Sequence, residues 1–82
     1  MLSSSRRPAR REAVDVQEKR FGYFPQTFRW RGKKYDVKKV EQCWTSMLKP
    51  QLCFRVRCEE GRFDLFQNVR DNTWHLSRVN GA

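Results

Sequence analysis

Eighty-two residues hold one small domain, too short for a large core. Its eleven aromatic residues offset part of that deficit, and no apolar run reaches the roughly 18 residues of a membrane span. A formal net charge of +9, from 18 Lys and Arg against nine Asp and Glu, points toward polyanionic partners rather than acidic chemistry. No apolar leader follows Met1-Leu2, so a cytosolic setting is expected. Three Cys, at 43, 53 and 58, fit reduced thiols better than a disulfide framework.

Residues 1–11 read as an Arg-rich arm. Arg6, Arg7, Arg10 and Arg11 precede the first acid, Glu12, and little apolar content is available to order them. Such an arm either seeks polyanions or solubilises the terminus. The remaining fourteen basic residues face nine acids, so residues 12–82 keep a charge of +5.

A single domain is expected over residues 12–80. Val14-Asp15-Val16 alternates and suggests a first strand at a sheet edge. Phe21-Gly22-Tyr23-Phe24-Pro25 then reads as a turn-rich connection. Its rings either plug one end of a small β core or stand out as a stacking site.

Thr27 to Lys38 reads as a tight hairpin. A Gly32-Lys33 loop sets Trp30 opposite Tyr35, Arg29 opposite Asp36 and Phe28 opposite Val37. Phe28, Trp30, Tyr35 and Val37 then share an apolar face. Val40 and Trp44 fall on the wrong parity, and a β-bulge at Lys38-Lys39 would return them to the core. A helix competes, because Val40, Cys43, Trp44, Met47 and Leu48 recur at helical spacing. Poor helix formers favour a bent strand to about Thr45 and a loop through Pro50.

Leu52, Phe54, Val56 and Cys58 alternate with Cys53, Arg55 and Arg57. A Glu60-Gly61 turn sets Cys58 opposite Phe63, Arg57 opposite Asp64 and Val56 opposite Leu65. Arg70-Asp71-Asn72-Thr73 is a further turn, rich in side chains that bond their own backbone. Trp74 to Val79 forms the last strand. The expected fold is all-β: a single antiparallel meander of five or six strands, curled into an SH3-like, partly open barrel.

The outer face of this sheet collects Arg29, Arg31, Lys38, Arg55, Arg57, Phe66 and His75, with Lys33 and Lys34 at the hairpin tip. Cations that follow phosphates beside a ring that stacks on a base suit nucleic acid, single-stranded or duplex. The opposing reading is a solvated basic face whose Asp36 and Asp64 neutralise neighbouring Arg. A protein partner is the alternative, docked on an exposed strand edge with the Phe21–Phe24 loop as anchor.

Catalysis finds little support. There is one His, no Gly-rich phosphate loop and no cofactor motif. Cys53 and His75 share a face without an oxyanion-hole motif. Cys43, Cys53, Cys58 and His75 lack the Cys-x-x-Cys spacing of a zinc site. The expectation is a non-enzymatic binding module with no cofactor, metal or small-molecule substrate.

The segments Phe-Arg-Trp-Arg-Gly-Lys-Lys-Tyr-Asp-Val (28–37), Trp44, Phe-Arg-Val-Arg (54–57), Asp-Leu-Phe (64–66) and Trp-His-Leu-Ser-Arg-Val (74–79) resemble a small bacterial family of domains of unknown function. Its members look like stand-alone proteins or tails on homologues of Y-family translesion polymerases. The likeness spans residues 25 to 79. This chain departs from it with Asp64 for the usual Glu, Phe66 for the usual Tyr and a short segment between Trp44 and Phe54. The shared positions are core aromatics and a turn, so the resemblance implies a fold and a DNA-related setting. It assigns no binding residue.

Overall fold

Period-two alternation of apolar and polar residues places side chains on two faces, and this chain folds accordingly. The computed structural model describes residues 11–46 and 50–79, and these residues contain no helix. Six strands follow in order: β1 (Glu12–Arg20), β2 (Phe24–Trp30), β3 (Lys33–Thr45), β4 (Gln51–Cys58), β5 (Gly61–Asn68) and β6 (Thr73–Arg78). Each pairs antiparallel with the next, and β1 returns to β6 to close a small barrel. β1 is therefore not an edge strand. Glu12 to Val14 pair with Leu76 to Trp74 and complete the circuit.

Inward-facing side chains fill the barrel. Phe28, Phe54, Val56, Leu65 and Leu76 are fully buried, with Trp30, Phe63 and Trp74 beside them. Phe28 stacks on Tyr35 at 5.1 Å, and Phe54 stacks on Trp74 at 5.8 Å. Each such residue contributes roughly 1.5–3 kcal/mol through burial, which is how so short a chain maintains a core.

Both tight turns differ from expectation by a two-residue slip. In the first hairpin the loop is Arg31-Gly32, so Trp30 faces Lys33, Phe28 faces Tyr35 and Thr27 faces Asp36. Arg31 and Gly32 have φ of 53° and 76°, and the type I′ turn that fits the strand twist needs positive φ at both positions. Arg31 is held there by a two-pronged ion pair to Glu12, with its guanidinium 4.6 Å from the Trp30 ring. In the second hairpin the loop is Glu59-Glu60, and Gly61, at φ 143°, opens β5. Val56 therefore faces Phe63, and Arg55, not Arg57, faces Asp64. A slip of two residues leaves every side chain on its expected face.

β3 is the bent strand expected up to Thr45. The bulge anticipated at Lys38-Lys39 is present, between Val37 and Lys39, and it brings Val40 opposite Val56. A second bulge between Val40 and Gln42 reverses the parity again. Cys43 then faces Phe54, while Trp44 faces Cys53 on the outside and is 37% exposed rather than buried. At the Arg70–Thr73 turn, the Asp71 carboxylate accepts from the Thr73 backbone N–H and hydroxyl, as its residue types suggested. The expected arm falls on residues 1–10, outside the described residues, apart from Arg11.

Candidate functional site

The bulges of β3 do more than bend it. β2 and β3 pair only where Thr27–Trp30 meets Lys33–Asp36. Beyond that point β3 turns away and stays with β4, while Phe24 and Pro25 stay with Arg20 and Lys19 of β1. Pro25 assists the parting, because it has no N–H to give a ladder. A groove of about 490 Å³ opens between the diverging strands, within the range of ligand-binding clefts.

Its floor is apolar, built from Phe24, Pro25, Val37 and Val40. Arg20, Lys38 and Lys39 line it as well, with Gln26 of β2 and Gln42 of β3. Phe21 lines it too and is 88% exposed. The local chain explains this exposure. Tyr23 N–H donates to the Arg20 carbonyl at 3.1 Å, closing a turn with Phe21 and Gly22 both at positive φ, 58° and 67°. Tyr23 and Phe24 then pack edge-on to each other and onto Phe54, at 4.8, 5.7 and 6.0 Å. The two readings of the aromatic segment therefore divide within it: Phe24 and Pro25 plug the barrel, Tyr23 packs against Phe54 while remaining exposed, and Phe21 is left outside. Cys43 also lines the groove, with its sulfur 4.0 Å from the Tyr23 hydroxyl. That contact pushes the Tyr23 pKa upward.

Charge pairing separates the basic residues into two groups. On β4 and β5, Arg55 donates to both Asp64 oxygens at 2.8 and 3.1 Å, which raises the Arg55 pKa further. Arg57 and Arg62 share Glu41, at 3.4 and 3.2 Å. At the tip of the first hairpin, Arg31 is tied to Glu12 and Lys33 to Glu60. Arg11, Lys19, Arg20, Arg29, Lys34, Lys38, Lys39, Arg70 and Arg78 carry no ion pair among the described residues, and of these Arg20, Lys38 and Lys39 line the groove. Arg29 and Lys34 lie directly opposite each other on the outer face of β2 and β3. The acid that lines the groove, Glu41, is the one already engaged by two arginines.

Comparison with family models, curated proteins and solved structures finds no match. The residues themselves therefore carry the assignment. Of the nine positions expected to bind, Arg29, Lys34 and Lys38 carry no ion pair among the described residues; Arg29 and Lys34 face each other across β2 and β3, and Lys38 lies farther along β3 in the groove. Arg31, Lys33, Arg55 and Arg57 are compensated by acids.

Phe66 corrects the expectation of an outward stacking ring. It does point outward, in the row Cys53–Phe66–His75, but it is only 8% exposed. The Arg11 guanidinium lies 3.9 Å from its ring centroid and occupies the face a base would use. His75 is exposed beside it, in a small cleft with Arg11 and Gln51. The β5 strand separates Cys53 from His75, so the two sit about two strand spacings, ~10 Å, apart, beyond hydrogen-bond reach. Cys53 is also buried, which pushes its thiol pKa up. Cys58 lies in the core, with its thiol pushed up to about 12 by burial and then by Glu60. Among the described residues no three His, Cys, Asp or Glu side chains gather as a metal site.

Sequence reasoning missed Arg20 and Lys39 as members of this cluster. The usable signal was the bulge itself. A strand that bends away from one neighbour while following the other opens a cleft beside the bulged residues.

Proposed function

We propose that this protein binds nucleic acid through the β2–β3 side of the barrel. Arg20, Arg29, Lys34, Lys38 and Lys39 hold phosphates there. The observation behind this reading is the distribution of pairing: of the cations without an ion pair among the described residues, Arg20, Lys38 and Lys39 line one groove beside an exposed ring and Arg29 and Lys34 face each other on β2 and β3, whereas Arg55, Arg57 and Arg62 are paired with acids. Releasing counterions from the backbone drives such binding, and cations already tied to carboxylates release fewer. The resemblance to domains attached to polymerase homologues agrees with a DNA-related setting.

The competing role is a protein adaptor that accepts a partner strand on an open edge. Two features of this groove oppose it. Pro25 removes a donor from the β2 edge, and the two bulges of β3 disrupt the regular spacing a partner strand needs.

The test is titration of the full chain with short single-stranded and duplex oligonucleotides over a salt series, beside polyglutamate as a protein polyanion. Binding to oligonucleotides should weaken by a log–log slope of about 0.7 to 0.9 per phosphate contact. Polyglutamate should bind more weakly at every salt concentration. Absence of oligonucleotide binding, or equal binding to polyglutamate, would overturn the reading.

A further inference from the structure

We infer that the groove takes a single strand and receives one of its unstacked bases against Phe21. This rests on the nucleic-acid reading above and specifies its ligand. Three groups of observations support it. The groove is lined by Arg20, Lys38 and Lys39, and its acid, Glu41, is engaged by Arg57 and Arg62, so it complements a phosphate backbone. The floor is apolar and the Phe21 ring is 88% exposed, which suits the face of a base. Gln26 of β2 and Gln42 of β3 line the groove, and an amide side chain can both donate and accept toward a base edge.

Duplex bases cannot use such a site. Their faces are stacked on one another, and only their edges reach the grooves. A single strand can splay a base out, lay its face on an aromatic ring and keep its phosphates on flanking cations. Phe21 is set up for this. It occupies a left-handed backbone conformation that bulky residues seldom adopt, and Tyr23 and Phe24 fix the turn behind it. The ring is thus presented to solvent by a packed turn.

The experiment compares three probes on the full chain by fluorescence anisotropy: an oligothymidine strand, an abasic strand of equal length, and a duplex of equal length. The base-bearing strand should bind about 5- to 100-fold more tightly than the abasic strand, the range of a base–aromatic stack. It should also bind more tightly than the duplex. Phe21→Ala should remove most of the base-dependent gain and leave abasic binding unchanged. Because Phe21 is exposed, this variant should keep the wild-type melting temperature. Phe21→Leu, apolar but without a ring, should behave like Phe21→Ala. Lys38→Gln with Lys39→Gln should weaken all three probes alike. Equal affinity for base-bearing and abasic strands, a preference for duplex, or a Phe21→Ala variant with the full base-dependent gain would overturn the inference and leave phosphate binding standing. Failure of all three probes to bind would instead remove the nucleic-acid reading itself.

Discussion

The β4–β5 face and the β2–β3 groove begin with similar material and end in opposite states. Each has several cations with an aromatic residue nearby. On the first, Arg55, Arg57 and Arg62 meet Asp64 and Glu41, and Phe66 is covered by Arg11. In the second, Arg20, Lys38 and Lys39 form no ion pair among the described residues, the groove's Glu41 being engaged by Arg57 and Arg62, and Phe21 stands in solvent. Register and bulges cause the difference. The pairing of β4 with β5 sets Asp64 opposite Arg55, and the second bulge of β3 carries Glu41 toward Arg57 and Arg62. On the reading proposed above, counting basic residues on a face is a poor guide to phosphate binding, and what matters is which of them are left without a carboxylate.

The largest contrast sets a buried aromatic, Trp30, against an exposed one, Phe21. Trp30 is 3% exposed and packs on Tyr35 and Phe63, and its indole N–H donates to Glu12 at 3.2 Å. Trp30→Ala should cost about 3–5 kcal/mol in urea unfolding, the range for an emptied aromatic core site. Phe21→Ala should change stability by no more than about 0.5 kcal/mol, as surface substitutions do. Similar losses for both would mean that Phe21 is a structural plug rather than a presented ring.

A smaller effect tests the reason for the silent face. Asp64→Asn keeps the shape of the pair and removes its charge. Freed from its carboxylate, Arg55 should add up to one phosphate contact and steepen the salt slope by about 0.7 to 0.9. Stability should fall only slightly, because Arg55 is partly exposed and solvent screens the pair. An unchanged slope would mean that compensation is not what keeps this face inactive.

The smallest effect separates the two ends of the inner face. Cys43 is exposed in the groove, whereas Cys53 and Cys58 are buried. A thiol reagent should label one Cys in the native protein and three after denaturation. The folded pKa of Cys58 is raised to about 12 from an ordinary value of 9.0. The unfolded thiol ionises first, so stability should be fully present below pH 9 and decline as pH rises toward 12. Cys58→Val should remove that part of the alkaline decline.

Much of the fold was legible because alternation is a local signal. Leu52 to Cys58 and Phe28 to Val37 sort onto two faces in any register with the correct parity, so the barrel and most of its core follow from the sequence. Loop placement was less legible. Arg31-Gly32 and Gly32-Lys33 both offer a Gly, and the choice depends on strand twist and on Glu12, nineteen residues away. The same slip assigned Asp64 to the wrong arginine. Phe66 was misread because its cover, Arg11, is the residue before β1 and remote in sequence. The groove was half visible. The Lys38-Lys39 bulge could be anticipated, but the second bulge, and with it the outward position of Trp44, depends on how β3 follows β4.

The central claim is that the uncompensated cations, not the basic residues in general, bind phosphate. Two double variants of the full chain test it directly: Lys38→Gln with Lys39→Gln, and Arg55→Gln with Arg57→Gln. Both remove two charges. The salt slope of single-strand binding should fall by about 1.4 in the first and remain near wild type in the second. Equal losses, or a larger loss from the β4 pair, would contradict the account and return the site to the opposite side of the barrel.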